Sequence, residues 1–136
     1  MDTIIMRFDG GSRGNPGIAG SGAVLIKDGE EVGCVSVELD GSYTNNQAEY
    51  IGCIEGMTLA LEHEYRNISI EGDSMLVVNQ ITGIYKCKSV LLKPLLDEAM
   101  TLVRKFNTFN INHIYRKYNS RADELANMAM DSIQLT

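Results

Sequence analysis

The sequence predicts an α/β fold built on a mixed β-sheet. Three observations predict it. Residues Thr3 to Leu39 carry strand-like runs separated by glycine-rich and acidic turns. The spacing of apolar residues then becomes helical from Thr44. Beyond that helix, two short alternating segments are each followed by a helical one, so three opening strands lead into an α-β-α-α-β-α order.

The first strand reads "TIIMRF" and is expected to end at Asp9, before a glycine loop. "GSGAVLIKDGEEVGCVSVEL" reads as a hairpin, because Asp28-Gly29 supplies the positive-φ turn that two β-rich runs need. The first helix starts at a capping box: the Thr44 hydroxyl takes the Gln47 backbone N–H, and the Gln47 side chain reaches back to the cap. Ile51, Ile54, Met57 and Leu61 follow on one face. Gly52 and Gly56 lie beside that stripe, where each weakens a helix by about 1 kcal/mol, so close packing on the sheet is the expected compensation.

"RNISIEGD" is a short strand ending at Asp73, and "SMLVVNQITG" a brief helix stopped by Gly83. "VLLKPLLDEAMTLVRKF" is a longer helix with Pro94 in its first turn. "FNINHIY" alternates again, with Phe109, Ile111 and Ile114 or Tyr115 as candidate core residues. The last helix lies within "NSRADELANMAMDSI", with Asn119 as its expected N-cap and Ala122, Leu125, Ala126 and Ala129 as its apolar stripe.

At 136 residues and 44% apolar composition, one packed domain spanning 1–136 is expected. No stretch reaches the ~20 apolar residues of a membrane span, and the N-terminal run lacks the basic flank of a signal peptide, so an intracellular, cytoplasmic location is the expectation. Cys34, Cys53 and Cys87 are odd in number and far apart, which reads as reduced, buried thiols. Net charge is −6, but it is unevenly spread. Met1–Gly83 holds 4 basic and 13 acidic residues, whereas Ile84–Arg121 holds 8 basic and 2 acidic. A local polyanion-binding face beside an acidic one is one reading, and solvated helix-surface charge is the other.

The glycines of "FDGGSRGNPG" fall at 10, 11, 14 and 17. Neither G-x-G-x-x-G nor G-x-x-x-x-G-K-[ST] fits, and a strand rather than a helix follows, which excludes a nucleotide cradle. Those glycines are expected to serve backbone geometry and the close approach of a ligand.

Acids recur at element ends. Asp9 and Asp73 emerge together if their strands are adjacent and parallel. Glu49 lies in the second turn of its helix, and Asp123 one turn beyond Asn119. Taken singly, each acid reads as a solvated charge or a cap. Together, four carboxylates at one corner would repel one another and require a hard cation, Mg²⁺ or Mn²⁺. Two such ions suit phosphodiester cleavage.

"FDGGSRGNPG", "TNNQAEY", "EGDSMLVVNQI" and "YNSRADELAN" occur in an order and spacing that resemble the type 1 ribonuclease H family across essentially the whole chain. The resemblance implies a ribonuclease H-like fold, a five-stranded mixed sheet of order 3-2-1-4-5 flanked by helices. It implies endonucleolytic cleavage of RNA in an RNA–DNA hybrid by a monomer using two Mg²⁺ ions, with Mn²⁺ as a substitute, leaving 3′-hydroxyl and 5′-phosphate ends. Asp9, Glu49, Asp73 and Asp123 match the family's catalytic, metal-binding carboxylates. In that scheme Asp9 bridges both ions, Asp73 and Asp123 hold the ion that activates water, and Glu49 helps hold the other and senses a 2′-hydroxyl. Gly10 and Gly11 let the substrate backbone approach, and Asn15, Thr44, Asn45, Asn46, Ser74 and Asn119 match substrate contacts.

The chain departs from the family pattern in three places. The loop before the last helix, "RKYNSR", has no histidine, with Arg116 or Lys117 as the nearest replacement. Lys86, Lys88 and Lys93 stand in for a missing basic handle, and Met75 occupies a position that glutamine often holds. His63 and His113 read as structural or surface residues. These departures leave two alternatives to hybrid cleavage: a weak or inactive hybrid-binding relative, and a nuclease acting on duplex RNA or branched DNA.

Overall fold

A computed structural model describes residues 2–135. Ten elements follow the expected order: β1 (Ile4–Arg13), β2 (Gly17–Lys27), β3 (Glu30–Tyr43), α1 (Asn45–Glu62), β4 (Asn67–Gly72), α2 (Met75–Ile81), α3 (Lys93–Val103), β5 (Thr108–His113), a single 3₁₀ turn (Arg116–Tyr118) and α4 (Ser120–Leu135). The sheet order is β3-β2-β1-β4-β5. β1–β2 and β2–β3 pair antiparallel, while β1–β4 and β4–β5 pair parallel. The predicted mixed sheet of order 3-2-1-4-5 is therefore present.

β1 is the pivot. It carries Ile4, Met6 and Phe8 into a core shared with Ile68 and Ile70 of β4 and Tyr50, Cys53 and Met57 of α1, each no more than 1% exposed. Burying side chains of this size contributes about 1.5–3 kcal/mol apiece. α4 packs on β1, β2 and β3. Among the described residues, no helix is long and apolar enough to cross a membrane.

Local chemistry behaves as read at several points. Asp28 (φ 52°) and Gly29 (φ 80°) form the β2–β3 turn. Thr44 accepts from Gln47 N at 3.1 Å and its own N–H donates to Gln47 Oε1 at 2.8 Å, completing the capping box. Pro94 falls in the first turn of α3. The α1 glycines are in close packing. A β-carbon on Gly52 would lie 2.6 Å from the Asp9 carbonyl oxygen, and one on Gly56 2.5 Å from Met6 Sδ. The cysteines are unpaired, and burial pushes the Cys53 thiol well above its usual range.

Other expectations are corrected. β1 does not end at Asp9. Its ladder with β2 runs on through Gly10↔Ser21 to Arg13↔Ile18, so the glycine segment is mostly strand and the turn is confined to Gly14–Pro16. Cross-strand pairing with β2 overrides the weak strand propensity of the glycines. Tyr115 is 71% exposed rather than core, because the chain leaves β5 at His113, while Ile111 fills the core position. Cys34 is exposed rather than buried.

Candidate active site

The parallel pairing of β1 with β4 ends at Phe8 opposite Gly72, so Asp9, the next residue of β1, comes beside Asp73, which follows β4. This is also where β1 separates an antiparallel neighbour from a parallel one, and carboxyl ends at such points are common ligand sites in α/β sheets. α1 crosses there at close range. A β-carbon on Gly10 would lie 2.2 Å from the Ala48 carbonyl carbon. Gly10 is thus required for the fit of strand against helix, and that fit brings Glu49 to Asp9. The same β-carbon on Gly11 would meet only Met130 Cε at an ordinary 3.5 Å.

Carboxylate oxygens of Asp9, Glu49 and Asp73 lie within 4.8 Å of one another. Asp9 is 6% and Glu49 8% exposed. Glu49 Oε1 is buried without a hydrogen-bond partner among the described residues, while Asp9 Oδ1 accepts from Gly10 N at 2.9 Å. Burial, reinforced by the Asp73 charge and the Asp123 side chain against a lowering contact from Glu49, raises Asp9 to about 7. Burial and the Asp9 charge push Glu49 well above the usual carboxylate range. Asp123 stands across the cluster in the first turn of α4, 3.9 Å from the Arg116 guanidinium. Three crowded carboxylates with an unmet buried oxygen form an all-oxygen set that suits a hard divalent cation.

The cluster forms the floor of a cleft of about 700 Å³. Gly10, Gly11, Asn45 and Asn46 line it with the four acids. Asn45 is held by its neighbours. Its Oδ1 accepts from Ser12 N at 2.7 Å, its own N–H donates to Asn15 Oδ1 at 2.9 Å, and Asn15 N donates to Ser12 Oγ at 3.1 Å. Asn15 and Thr44 therefore stand behind the lining, bracing the β1–β2 turn and the start of α1. Ser74 caps α2, accepting from Val77 N at 3.2 Å. Asn119 is not in the lining either. It is 1% exposed, and its amide donates to the Phe8 carbonyl at 2.8 Å. Its Oδ1 has no hydrogen-bond partner among the described residues, so its side chain does not cap α4. Its carbonyl still opens α4 by accepting from Asp123 N at 3.1 Å, while its side chain turns to β1 rather than to the cap or the cleft.

Sequence reading missed several lining residues: Ser12, Arg13, His113, Tyr115, Asn127 and Met130. Arg13 is fixed by an ion pair to Asp131 at 2.8 Å and a hydrogen bond to Asn127 Oδ1 at 3.2 Å. The available signal was the continuation of β1, which puts Arg13 on the strand that carries Asp9.

Comparison with known proteins agrees with this geometry. The family model described as "Reverse transcriptase-like" matches residues 7–129. A protein named Ribonuclease HI from Halobacterium salinarum is 39% identical over 124 residues, which is 91% of this chain and 62% of that protein. The chain thus spans less than two thirds of that relative's length. A Ribonuclease H from Hydrogenovibrio crunogenus is 35% identical over 147 residues, covering 98% of this chain and 99% of its own. The crystal structure of the Halobacterium salinarum RNase H1 superposes with a TM-score of 0.92, covering 96% of this chain and 98% of that one at 39% identity. LC11-RNase H1, solved in complex with RNA/DNA hybrid, superposes with a TM-score of 0.89 at 34% identity, covering 96% of this chain and 99% of that one.

Proposed function

This chain belongs to the ribonuclease H family, and from that membership we propose that it is an endonuclease hydrolysing the RNA strand of RNA–DNA hybrids with two Mg²⁺ ions, Mn²⁺ substituting. The observation that carries the reading is the gathering of Asp9, Glu49 and Asp73 within 4.8 Å, with a buried Glu49 oxygen left unpaired. In this reading residues 1–136 are one catalytic domain, acting as a monomer.

Asp9, Glu49, Asp73 and Asp123 would hold the cations. When bound, these supply charge stabilisation to the scissile phosphate and its leaving oxygen. The chain's own residues do the rest. Asn45 and Asn46 offer amide groups to sugar and minor-groove edges, with Ser12, Asn15 and Thr44 holding Asn45 and the start of α1 in place. Arg13 and Arg116 set positive charge on the cleft wall where backbone phosphates pass. Water adds to phosphorus and the P–O3′ bond breaks, leaving 3′-hydroxyl and 5′-phosphate ends.

The test is a panel of labelled RNA–DNA hybrid, duplex RNA and duplex DNA, each with Mg²⁺ or Mn²⁺, using wild type and Asp9→Asn. Hybrid cleavage by wild type, abolished in the variant, is expected. Unchanged cutting by the variant sinks the reading. Hybrid binding without cleavage points to an inactive relative, and preferential cutting of another duplex to a different substrate.

A further inference from the structure

We infer that Asn119 is a positioning residue for the acidic cluster, acting through Asp123; this rests on the cation-binding reading above. Asn119 joins three points of the site. Its side-chain N–H₂ donates to the carbonyl of Phe8, the residue before Asp9, at 2.8 Å. Its backbone carbonyl accepts from Asp123 N at 3.1 Å, as the opening hydrogen bond of α4. Its backbone N–H donates to the carbonyl of Arg116, one of two arginines lining the cleft, at 2.9 Å. One buried side chain therefore ties the strand that bears Asp9 to the helical turn that bears Asp123.

Apolar contacts of Ala122, Leu125, Ala126 and Ala129, the Ser36 hydroxyl donating to the Leu125 carbonyl at 2.6 Å and the Arg13–Asp131 ion pair at 2.8 Å hold α4 on the sheet. The amide-to-carbonyl bond of Asn119 adds a directed tie from the residue that opens α4 to β1, next to Asp9. The side chain is also an uneconomical choice for stability alone, since its Oδ1 is buried and unmet. An unmet buried acceptor costs about 1–3 kcal/mol. Leucine, branched at the same carbon though larger, would avoid that cost. What leucine cannot supply is the donor to Phe8.

The inference is tested by calorimetric titration of MnCl₂ into wild type, Asn119→Leu, Asp123→Asn and the double variant, with urea unfolding of each. Asn119→Leu is expected to weaken Mn²⁺ binding by about 10–100-fold, the usual effect of losing a group that orients metal ligands, beyond what its change in fold stability accounts for. The double variant is expected to bind no more weakly than Asp123→Asn, since Asn119 acts through Asp123. Asn119→His, which retains a ring N–H donor, is expected to recover part of the affinity. Wild-type affinity in Asn119→Leu overturns the inference, as do losses that add in the double variant. If Asn119→Leu does not fold, Asn119→His and Asn119→Ala carry the same comparison, and affinity that simply follows stability across them also overturns it. Absence of Mn²⁺ binding by wild type overturns the cation site itself, a separate result.

Discussion

Tyr50 donates its hydroxyl hydrogen to the side-chain carbonyl of Gln80, joining α1 to α2 inside the core. Tyr50 is fully buried and Gln80 is 8% exposed, so neither has water as a substitute partner. Tyr50→Phe leaves the Gln80 acceptor unmet and is expected to cost about 1–3 kcal/mol. Urea unfolding measures the loss. Because Tyr50 faces away from the cleft while its neighbour Glu49 faces into it, hybrid cleavage at 25 °C is expected to survive. An unchanged urea midpoint would contradict this.

Gly10 admits no side chain. Its missing β-carbon would lie 2.2 Å from the Ala48 carbonyl carbon and 2.5 Å from Glu49 N, both backbone atoms of α1. Gly10→Ala must push strand and helix apart, at a cost of about 1–3 kcal/mol. It also withdraws Glu49 from Asp9. Cleavage is expected to fall more steeply than stability, and more than for Gly11→Ala, whose β-carbon meets only Met130 Cε at 3.5 Å. Parallel cleavage and unfolding assays on the two variants decide it.

The raised Asp9 carboxyl makes stability of the metal-free protein depend on pH. Its value is about 7 in the fold against an ordinary 3.8, so the folded state holds the proton more tightly than the unfolded chain. The stabilisation this brings is fully present below about pH 4 and is lost as pH rises through about 7. The melting temperature of EDTA-treated protein is expected to carry a falling contribution across that window, which Asp9→Asn removes. Asp9→Asn should also stabilise the metal-free protein at pH 8 by roughly 1–2 kcal/mol. Mg²⁺ added at pH 6 should release protons, read as a buffer-dependent heat. A flat difference between wild type and Asp9→Asn across this range would overturn the prediction.

Arg116 is 83% exposed in its side chain and only loosely paired to Asp123, at 3.9 Å. Its charge is therefore free to meet a phosphate. Arg116→Ala is expected to raise KM and to lower the slope of log affinity against log salt by about one. Stability should change by less than about 0.5 kcal/mol. An unaltered salt slope would show that no phosphate reaches this residue.

Those parts of the molecule specified by local chemistry were legible in the sequence. Thr44 and Gln47 marked the start of α1, Asp28-Gly29 marked a turn, and the period of each segment gave its type. Asp73 and Asp123 stood out because they sit at element ends, Asp73 just after β4 and Asp123 in the first turn of α4, and the β1–β4 pairing brings Asp9 beside Asp73. Less legible was whatever depends on partners distant in sequence. Gly10–Arg13 looks like a loop until β2 pairs with it. α1 shows one apolar stripe in sequence, yet Glu49, Tyr50 and Cys53 are also buried, because the sheet lies on one side and α2 and α3 on another. Asn119 offered a plain capping pattern, and only the tertiary approach of Phe8 gives its amide a different partner.

The crowding of acid at the cleft floor bears on the order of events. A polyanion nearing Asp9, Glu49 and Asp73 meets like charge, and the net −6 of the chain adds to that resistance. Cation and nucleic acid then become mutual effectors. Whatever factor the ion lends to hybrid affinity, the hybrid must return to ion affinity, because the two bindings share one thermodynamic cycle. On the proposed reading, a divalent cation at the acidic cluster and a hybrid in the cleft are expected to tighten each other's binding, so metal loading is expected to rise when hybrid is added.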